Sequence, residues 1–448
     1  MRSYNNRATF MLILLLTVIF LVGCKGAPTQ TPTPTPSPSV VPTPRTGPPL
    51  KVGVLGPLKF PVGKRLVWGA RIAAEEINAA GGVLVGGVKR PIKLVEVDTN
   101  ELMSVPDAVT ACERAITREK VDFVCSGVRT EAALAMQDVC MDYKKLFMLS
   151  GTAHPDLVKR VAENYDRYKY TFRLHSTAPQ MFISMFDQLR MVRDAVKQQL
   201  GVDKPSVAIL AEKAAWADPL VGLAKQKIEE MGMSIAGVWR PSSTATDVTA
   251  ELTGIKSSGA DIIFTFLSGP VVATYARQYG ALKLPVVSVG MMEVCKRNYE
   301  ASEGGMDYIV GWGSIGPVEI TSRTLPFINK YAEMSGGEVL VSRHCESYSN
   351  IYIVKQAIEK AQSLDPDVLV ATIEETDFLG PGGRYVFNPK GHELAHNYKW
   401  GPGYATDLGF QFQEGEPKVV WPPADGSWHG IVYKGTAEFK LPPWVKKR

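Results

Sequence analysis

His392-Glu393-Leu394-Ala395-His396 carries the most explicit catalytic spelling in this chain of 448 residues. Two histidines one helical turn apart, with a glutamate between them, bind zinc and supply a base, provided that a helix holds them on one face. The flanks oppose a helix. Pro389-Lys390-Gly391 precedes the motif and Gly401-Pro402-Gly403 follows it, leaving a short segment rich in Trp, Tyr and Asn. A zinc peptidase built on His392, Glu393 and His396 is therefore a remote alternative. Gly53-Val54-Leu55-Gly56 has the wrong spacing for a dinucleotide loop, and no GxSxG, P-loop or CxxC pair occurs. The expectation is a protein that is not an enzyme, with no catalytic residue, metal ligand or cofactor.

A second chemistry is anion capture. Arg129-Thr130 and Ser150-Gly151-Thr152-Ala153 each follow a short apolar run and lead toward a helical pattern. Free backbone N–H groups at a helix start favour a negative charge, and the hydroxyls of Thr130, Ser150 and Thr152 add donors. Helix capping is the plainer role for the same residues. Arg129 would favour an extra negative charge if it pointed at a ligand, although a surface ion pair is the commoner fate of an arginine.

The elements that must position these loops alternate. Val52, Val54 and Leu55 form a short apolar strand closed by Gly56-Pro57. Leu66, Ala70, Ala73, Ala74 and Ile77 then recur at helical spacing, with Arg71, Glu75, Glu76 and Asn78 turned to water. Residues 92–97 return as a strand, and a right-handed crossover makes the pair parallel. The unit repeats through helix 109–116, strand 121–126, helix 132–143, strand 146–149 and strand 170–174. After a long helix over 180–199 a second series follows: strands at 206–210, 233–238, 261–266 and 286–289, with helices over 219–231, 247–257 and 270–279 between them. Such alternation predicts an α/β fold with two doubly wound parallel sheets, and ligands in such sheets bind beyond the carboxyl ends of the strands.

The length calls for two domains of roughly 150 to 200 residues each. A net charge of +5 with scattered basic residues does not suggest a nucleic-acid partner. Arg2 and Arg7 precede an apolar run over 8–22, the pattern of a signal peptide, and Leu21-Val22-Gly23-Cys24 looks like a bacterial lipoprotein box that would lipidate Cys24. A plain secretory signal or a membrane anchor with an incidental cysteine is the alternative. No later stretch reaches the ~18 apolar residues of a membrane span. Residues 27–49, rich in Pro, Thr and Ser, read as an extended spacer. Five cysteines remain, an odd number in an oxidising compartment. Cys112 and Cys140 lie on the apolar stripes of two helices flanking the strand of Cys125, as buried thiols or as a disulfide.

Residues 52–58 (VGVLGPL), 69–83 (GARIAAEEINAAGGV) and 94–98 (LVEVD) resemble, in order and spacing, the extracytoplasmic solute-binding proteins of the leucine/isoleucine/valine type, the branched-chain amino acid ABC-transporter family. Weaker likeness continues to about Trp421. The resemblance implies a type I periplasmic-binding-protein fold of two lobes joined by a three-strand hinge. The boundaries it suggests are signal peptide 1–23, lipidated linker 24–49, first lobe 50–173 and 311–379, second lobe 174–310 and 380–420, and a tail over 421–448. It places the ligand carboxylate at the loops holding Thr130, Ser150, Gly151, Thr152 and Ala153. On the second lobe it puts an aromatic near Trp216, with Ser268 in the loop after the 261–266 strand, and an acidic residue near Met292-Glu293, where Glu293 would meet an ammonium group. Phe60 or Pro61 would line the first-lobe wall. The implied activity is capture of a small polar ligand, an amino acid first, with urea, a short amide or an aromatic carboxylate as alternatives. Delivery would be to an ABC permease and ATPase on separate chains, outside the cytoplasm, with the protein held to the membrane by its lipid. A sensor-type receptor would use the same fold.

Overall fold

The structure is a computed structural model that describes residues 45–214 and 216–447. The expected signal peptide, Cys24 and most of the Pro/Thr spacer lie outside the described residues. No helix among the described residues is long and apolar enough to cross a membrane.

The first lobe begins with β1 (Arg45–Thr46), β2 (Leu50–Gly56), α1 (Pro61–Ala79), β3 (Val83–Val85), β4 (Val88–Arg90), β5 (Ile92–Asp98), α2 (Val105–Thr117) and β6 (Phe123–Ser126). It continues through α3 (Thr130–Asp142), β7 (Phe147–Leu149), α4 (Asp156–Glu163), α5 (Tyr165–Tyr168) and β8 (Thr171–Arg173). Five parallel strands pair in the order β5-β2-β6-β7-β8. Both faces are covered, so β2 and β6 are almost wholly apolar and buried. The end of the supposed spacer is not free: Arg45 and Thr46 pair in parallel with β4, whose hairpin with β3 has an open edge.

The second lobe holds α6 (Ala178–Leu200), β9 (Ser206–Ala211), α7 (Asp218–Glu230), β10 (Ser234–Trp239), α8 (Thr249–Ser257) and β11 (Ile262–Phe266). After these come α9 (Val271–Leu282), β12 (Val287–Glu293), α10 (Lys296–Ala301) and β13 (Val310–Gly313). A Thr177-Gln180 capping box starts α6, and Gly201 at positive φ ends it. The chain then adds α11 (Thr324–Ser335), α12 (Ser347–Ala361), α13 (Pro366–Glu374) and the hairpin β14 (Phe378–Gly380) to β15 (Gly383–Tyr385). It returns as β16 (Leu408–Gln413) and β17 (Glu416–Trp421). The second sheet runs β10-β9-β11-β12-β13-β16-β17, with its last two strands antiparallel. Glu414 and Gly415, both at positive φ, tie that terminal hairpin.

Two expected crossings move. Residues 309–313 were expected to re-enter the first lobe, but β13 is a strand of the second sheet. The passage falls beyond it, where Ile315 joins the first-lobe core and forms an antiparallel bridge with Val341. The third crossing, expected at 379–383, lies near Thr406 and Asp407. Phe378, Tyr385, Phe387, Tyr398 and Ala405 all pack into the first core, while Leu408, Phe410 and Phe412 belong to the second. The tail beyond β17 lies on the second lobe through Tyr433, Phe439, Leu441 and Trp444.

The crossings meet in a buried polar cluster. Asp407 accepts hydrogen bonds from Ser176 Oγ at 2.9 Å and Trp400 Nε1 at 3.2 Å. Arg343, wholly buried, lies 3.7 Å from both Asp407 and Glu346 and donates to Tyr385 Oη at 3.0 Å and to the Thr406 carbonyl.

Candidate functional site

A cavity of about 250 Å³ lies between the lobes beside this hinge. The first lobe supplies Val62 and Arg65, the second Glu293, Val294, Trp312 and Phe410, and the connecting segments Leu340, Val341, Ser342 and His344. A larger groove of about 590 Å³ lies between α6 and the tail, where no first-lobe residue reaches. It cannot sense the approach of one lobe to the other.

Arg65 sits in the early part of α1, in line with Gly69 and Ile72 on a buried face. That face is pressed onto the segment carrying His344. Ser347 Oγ donates to the Leu66 carbonyl at 2.6 Å, and a Cβ on Gly69 would stand 2.1 Å from the Cys345 carbonyl oxygen. Only glycine permits this approach, which sets Arg65 at the cavity wall. Glu293 ends β12 directly opposite Trp312 of β13, after a register shift that begins beyond Val289. The expected loop position is thus the strand itself, and Met292 is buried in the core while Glu293 reaches the cavity.

Arg65 and Glu293 meet across the lobes as an ion pair. Burial opposes the charge on Arg65, yet the adjacent Glu293 carboxylate leaves the guanidinium even more firmly protonated than usual. Burial pushes the nearby Glu338 carboxyl upward, and Arg65 offsets only part of this. His344 faces His175 of the first crossing with ring centroids 5.7 Å apart. Burial, then Arg65, pulls His344 down to about 3, and burial with His344 depresses His175, so both rings are neutral at pH 7.

The sequence-derived residues fall into separate groups. Ser150, Gly151, Thr152 and Ala153 form a loop behind His344, and a Cβ on Gly151 would fall 1.8 Å from the Gly127 carbonyl oxygen and 2.8 Å from His344. The loop does not open a helix, because α4 starts only at Asp156. Its polar groups are turned inward instead. Ser150 Oγ accepts from Asn350 Nδ2 at 2.9 Å, the Thr152 and His154 carbonyls accept from buried Arg173 at 3.2 and 2.6 Å, and the Ala153 carbonyl accepts from Ala178 N at 3.0 Å. Thr130 is the first residue of α3, whose opening turn has no side-chain cap. Arg129 is committed to Glu131 at 3.1 Å and to the carbonyls of Glu101 and Leu102, both at 3.3 Å.

Trp216 and Ser268 are brought together by Glu212, which directly follows β9. Glu212 accepts from Trp216 Nε1 at 2.6 Å, from Ser268 Oγ at 2.7 Å and from Ser268 N at 2.8 Å. Arg240 braces the turn through the Ala211 and Glu212 carbonyls. The indole and hydroxyl remain exposed on the second lobe. Phe60 and Pro61 are also exposed, at the start of α1.

The HExxH stretch forms turns, so no helical face unites its histidines. His396 has φ +63°, stacks on Phe172 and directs its two ring nitrogens to the Thr171 carbonyl and the Glu374 carboxylate. No group of three or more potential ligands that could hold a metal ion occurs among the described residues.

Arg65, Glu212 and His344 escaped the sequence reading. A charge in register with Gly69 and Ile72, and a carboxylate closing the apolar run of β9, were visible signals for the first two. His344 had none.

The comparisons agree with this fold. Residues 49–401 match the family described as periplasmic binding protein. The leucine-, isoleucine-, valine-, threonine- and alanine-binding protein of Pseudomonas aeruginosa is 23% identical over 352 residues, 76% of this chain and 86% of its own. A crystallised chain from Silicibacter pomeroyi superposes with TM-score 0.73 at 19% identity, covering 88% of this chain and all of its own. A solute-binding protein of R. palustris in complex with benzoate does so with TM-score 0.64 at 16% identity, covering 83% of this chain and 95% of its own. With its two α/β lobes, interlobe cavity and match over most of its length, this chain belongs to the periplasmic binding protein family.

Proposed function

We propose that the interlobe cavity takes a small zwitterion, an amino acid, by inserting it between Arg65 and Glu293. The observation carrying the reading is that a guanidinium and a carboxylate from different lobes meet at a cavity whose wall includes Val62, Val294, Leu340 and Phe410. The ligand's carboxylate takes the Arg65 bonds, its ammonium takes Glu293, and its side chain fills the apolar wall. A volume of about 250 Å³ suits a solute smaller than a drug-sized ligand. The ligand of the Pseudomonas relative supports the same class. Trp216 and Ser268, clipped by Glu212, and the turn at Thr130 form the outer lips. Ligand bridging both lobes shifts an open population toward a closed one, and no bond is made or broken. The protein then presents its solute to an importer whose permease and ATPase are separate chains, while lipid on Cys24 keeps it at the membrane.

A second reading has one supporting observation. An aromatic carboxylate would also pair with Arg65, with Trp312 and Phe410 as its wall and Glu293 displaced, as the benzoate-bound structural relative suggests. A thermal-shift panel of branched-chain, small polar and aromatic amino acids, benzoate and urea, followed by calorimetry, tests both. Stabilisation by an amino acid supports the first reading, stabilisation by benzoate alone the second, and no response from any member sinks both.

A further inference from the structure

Two thiols of the first lobe touch. Cys112 on α2 and Cys140 on α3 are wholly buried, with sulfurs 3.7 Å apart. Cys112 shares its buried stripe with Ala108, Ala111 and Ala115, and Cys140 with Ala133 and Met136. Small residues let the two helices approach closely, and Cys112 Sγ also lies 4.0 Å from the Met136 carbonyl. The three other described cysteines have no such neighbour in sulfur contact: Cys125 lies within β6, Cys345 donates to the Ser342 carbonyl at 3.1 Å, and Cys295 precedes α10. One pair and three single thiols account for an odd count that cannot pair completely.

We propose that Cys112 and Cys140 are oxidised to a disulfide that staples α2 to α3. The inference rests on the extracytoplasmic placement of this family, where thiols meet oxidants, and is independent of which ligand binds. A disulfide needs sulfurs about 2.05 Å apart, so rotation of the two side chains completes the approach. Each thiol yields one proton and one electron, one S–S bond forms, and the disulfide of an exchange protein accepts both electrons and both protons to become a dithiol. The path runs through a mixed disulfide that the second thiolate resolves. Timing follows from burial. In the folded lobe, desolvation followed by the Cys112 neighbour holds the Cys140 thiol well above its ordinary value, and both sulfurs are sealed from reagents. Exchange therefore precedes docking of the two helices. The bond closes a loop over a sequence separation of 28 that contains β6 and most of α3, fixing the Thr130 turn at the lobe rim.

The test compares the full chain exported to a periplasm with the same chain kept in a reducing cytosol. Each sample is unfolded in guanidinium with iodoacetamide and no reductant, then cleaved with trypsin. Peptides 94–114, 121–129 and 130–144 carry Cys112, Cys125 and Cys140 separately. The exported protein is expected to give 94–114 joined to 130–144, with Cys125 alkylated, and the cytosolic protein to give all three alkylated. Loop-closure entropy implies a midpoint about 10 °C higher for the linked form. Exported protein with Cys112 and Cys140 both alkylated, or with either joined to 121–129, overturns the proposal. A Cys112→Ser/Cys140→Ser variant controls the assignment, since a linked mass that persists in it overturns the pairing. Linked peptides in a protein that ignores every solute would refute the ligand reading alone.

Discussion

Replacing Arg343 with leucine strips the hinge cluster of the buried cation that lies against both Asp407 and Glu346. All three side chains are wholly inaccessible, and both carboxylates lie 3.7 Å from the guanidinium. Burial works against Arg343's charge, but its neighbours, Asp407 and Glu346 among them, hold it above the ordinary arginine value. Burial likewise raises Asp407 and Glu346, and Arg343 opposes the rise. Removing one partner of a buried ionic group costs about 3–5 kcal/mol, because the remaining charge is neither hydrated nor compensated. For lobes of this size each kcal/mol shifts the midpoint by roughly 2–4 °C, so the expected loss at pH 8 is about 10 °C. The sign with pH is fixed. Both carboxyls have folded values above their unfolded values of 3.8 and 4.5, so each contributes stability below those values and loses it as pH rises through the folded value. Without Arg343 the folded values rise further, and the deficit of the variant must shrink toward pH 5. Thermal melts of wild type and Arg343→Leu at pH 5 and 8 measure this, with the triple variant Arg343→Leu/Glu346→Gln/Asp407→Asn as the neutral reference. A loss below about 2 °C at both pH values, a deficit that grows on acidification, or a triple variant no more stable than the single would refute the reasoning.

Arg65→Ala should weaken the solute selected by the panel at least about 10- to 100-fold, the worth of a single charge-assisted hydrogen bond, and an unchanged Kd by calorimetry removes Arg65 from the site. Glu293→Gln should weaken an amino acid by a similar factor while sparing benzoate, and equal losses for both would show that Glu293 does not read the ammonium. Glu212→Gln replaces an acceptor of three hydrogen bonds with a group that must turn a donor toward one of them. A red-shifted, more quenchable Trp216 emission is expected, and spectra identical to wild type argue against the clip. His175 and His344, held neutral by burial, have folded values below the ordinary 6.5. They should add stability above that pH and withdraw it as pH falls toward the folded values, so His344→Gln should flatten the acid limb between pH 6.5 and 4. A limb that stays as steep assigns acid lability elsewhere.

Periodicity made the lobes legible. The apolar run of β2, the 3.6-residue stripe of α1 and their repetition through β12 left no other fold class open, and the structure moves most of those ends by only one or two residues. The second sheet's edge was less legible. No strand was assigned within 380–420, yet Leu408–Gln413 and Glu416–Trp421 fold as an antiparallel hairpin, because Glu414-Gly415 at positive φ turns the chain within two residues. The third crossing was misplaced for a related reason. Phe378 and Tyr385 look like ordinary strand residues, and nothing local tells a chain which of two cores will take them. Ser150 and Thr152 show the limit for a site. Their types suit a ligand loop, yet the donors they meet, Asn350 and Arg173, are distant in the sequence or on the next strand, and only the assembled lobe turns those loop atoms inward.

The same logic explains why Arg65 was passed over and why it matters. An arginine on the otherwise apolar buried face of a helix costs stability unless something answers its charge. Glu338, after α11, is one nearby carboxyl, and burial has raised it toward its neutral form. The direct partner, Glu293, is on the other lobe. Opening the cleft would part them and return Glu293, already partly exposed, to water, while Arg65 stayed in a pocket that burial makes costly for an unpaired charge. A ligand bearing a carboxylate could meet that need in the open form, and its ammonium would then recover Glu293 on closure. Hinge closure and ligand charge are thereby coupled through one residue. A neutral solute of equal size should bind without closing the lobes, a difference that small-angle scattering with leucine and with its uncharged isostere 2-hydroxy-4-methylpentanamide would reveal. Equal compaction by both would mean that shape, and not the Arg65–Glu293 pair, drives the motion.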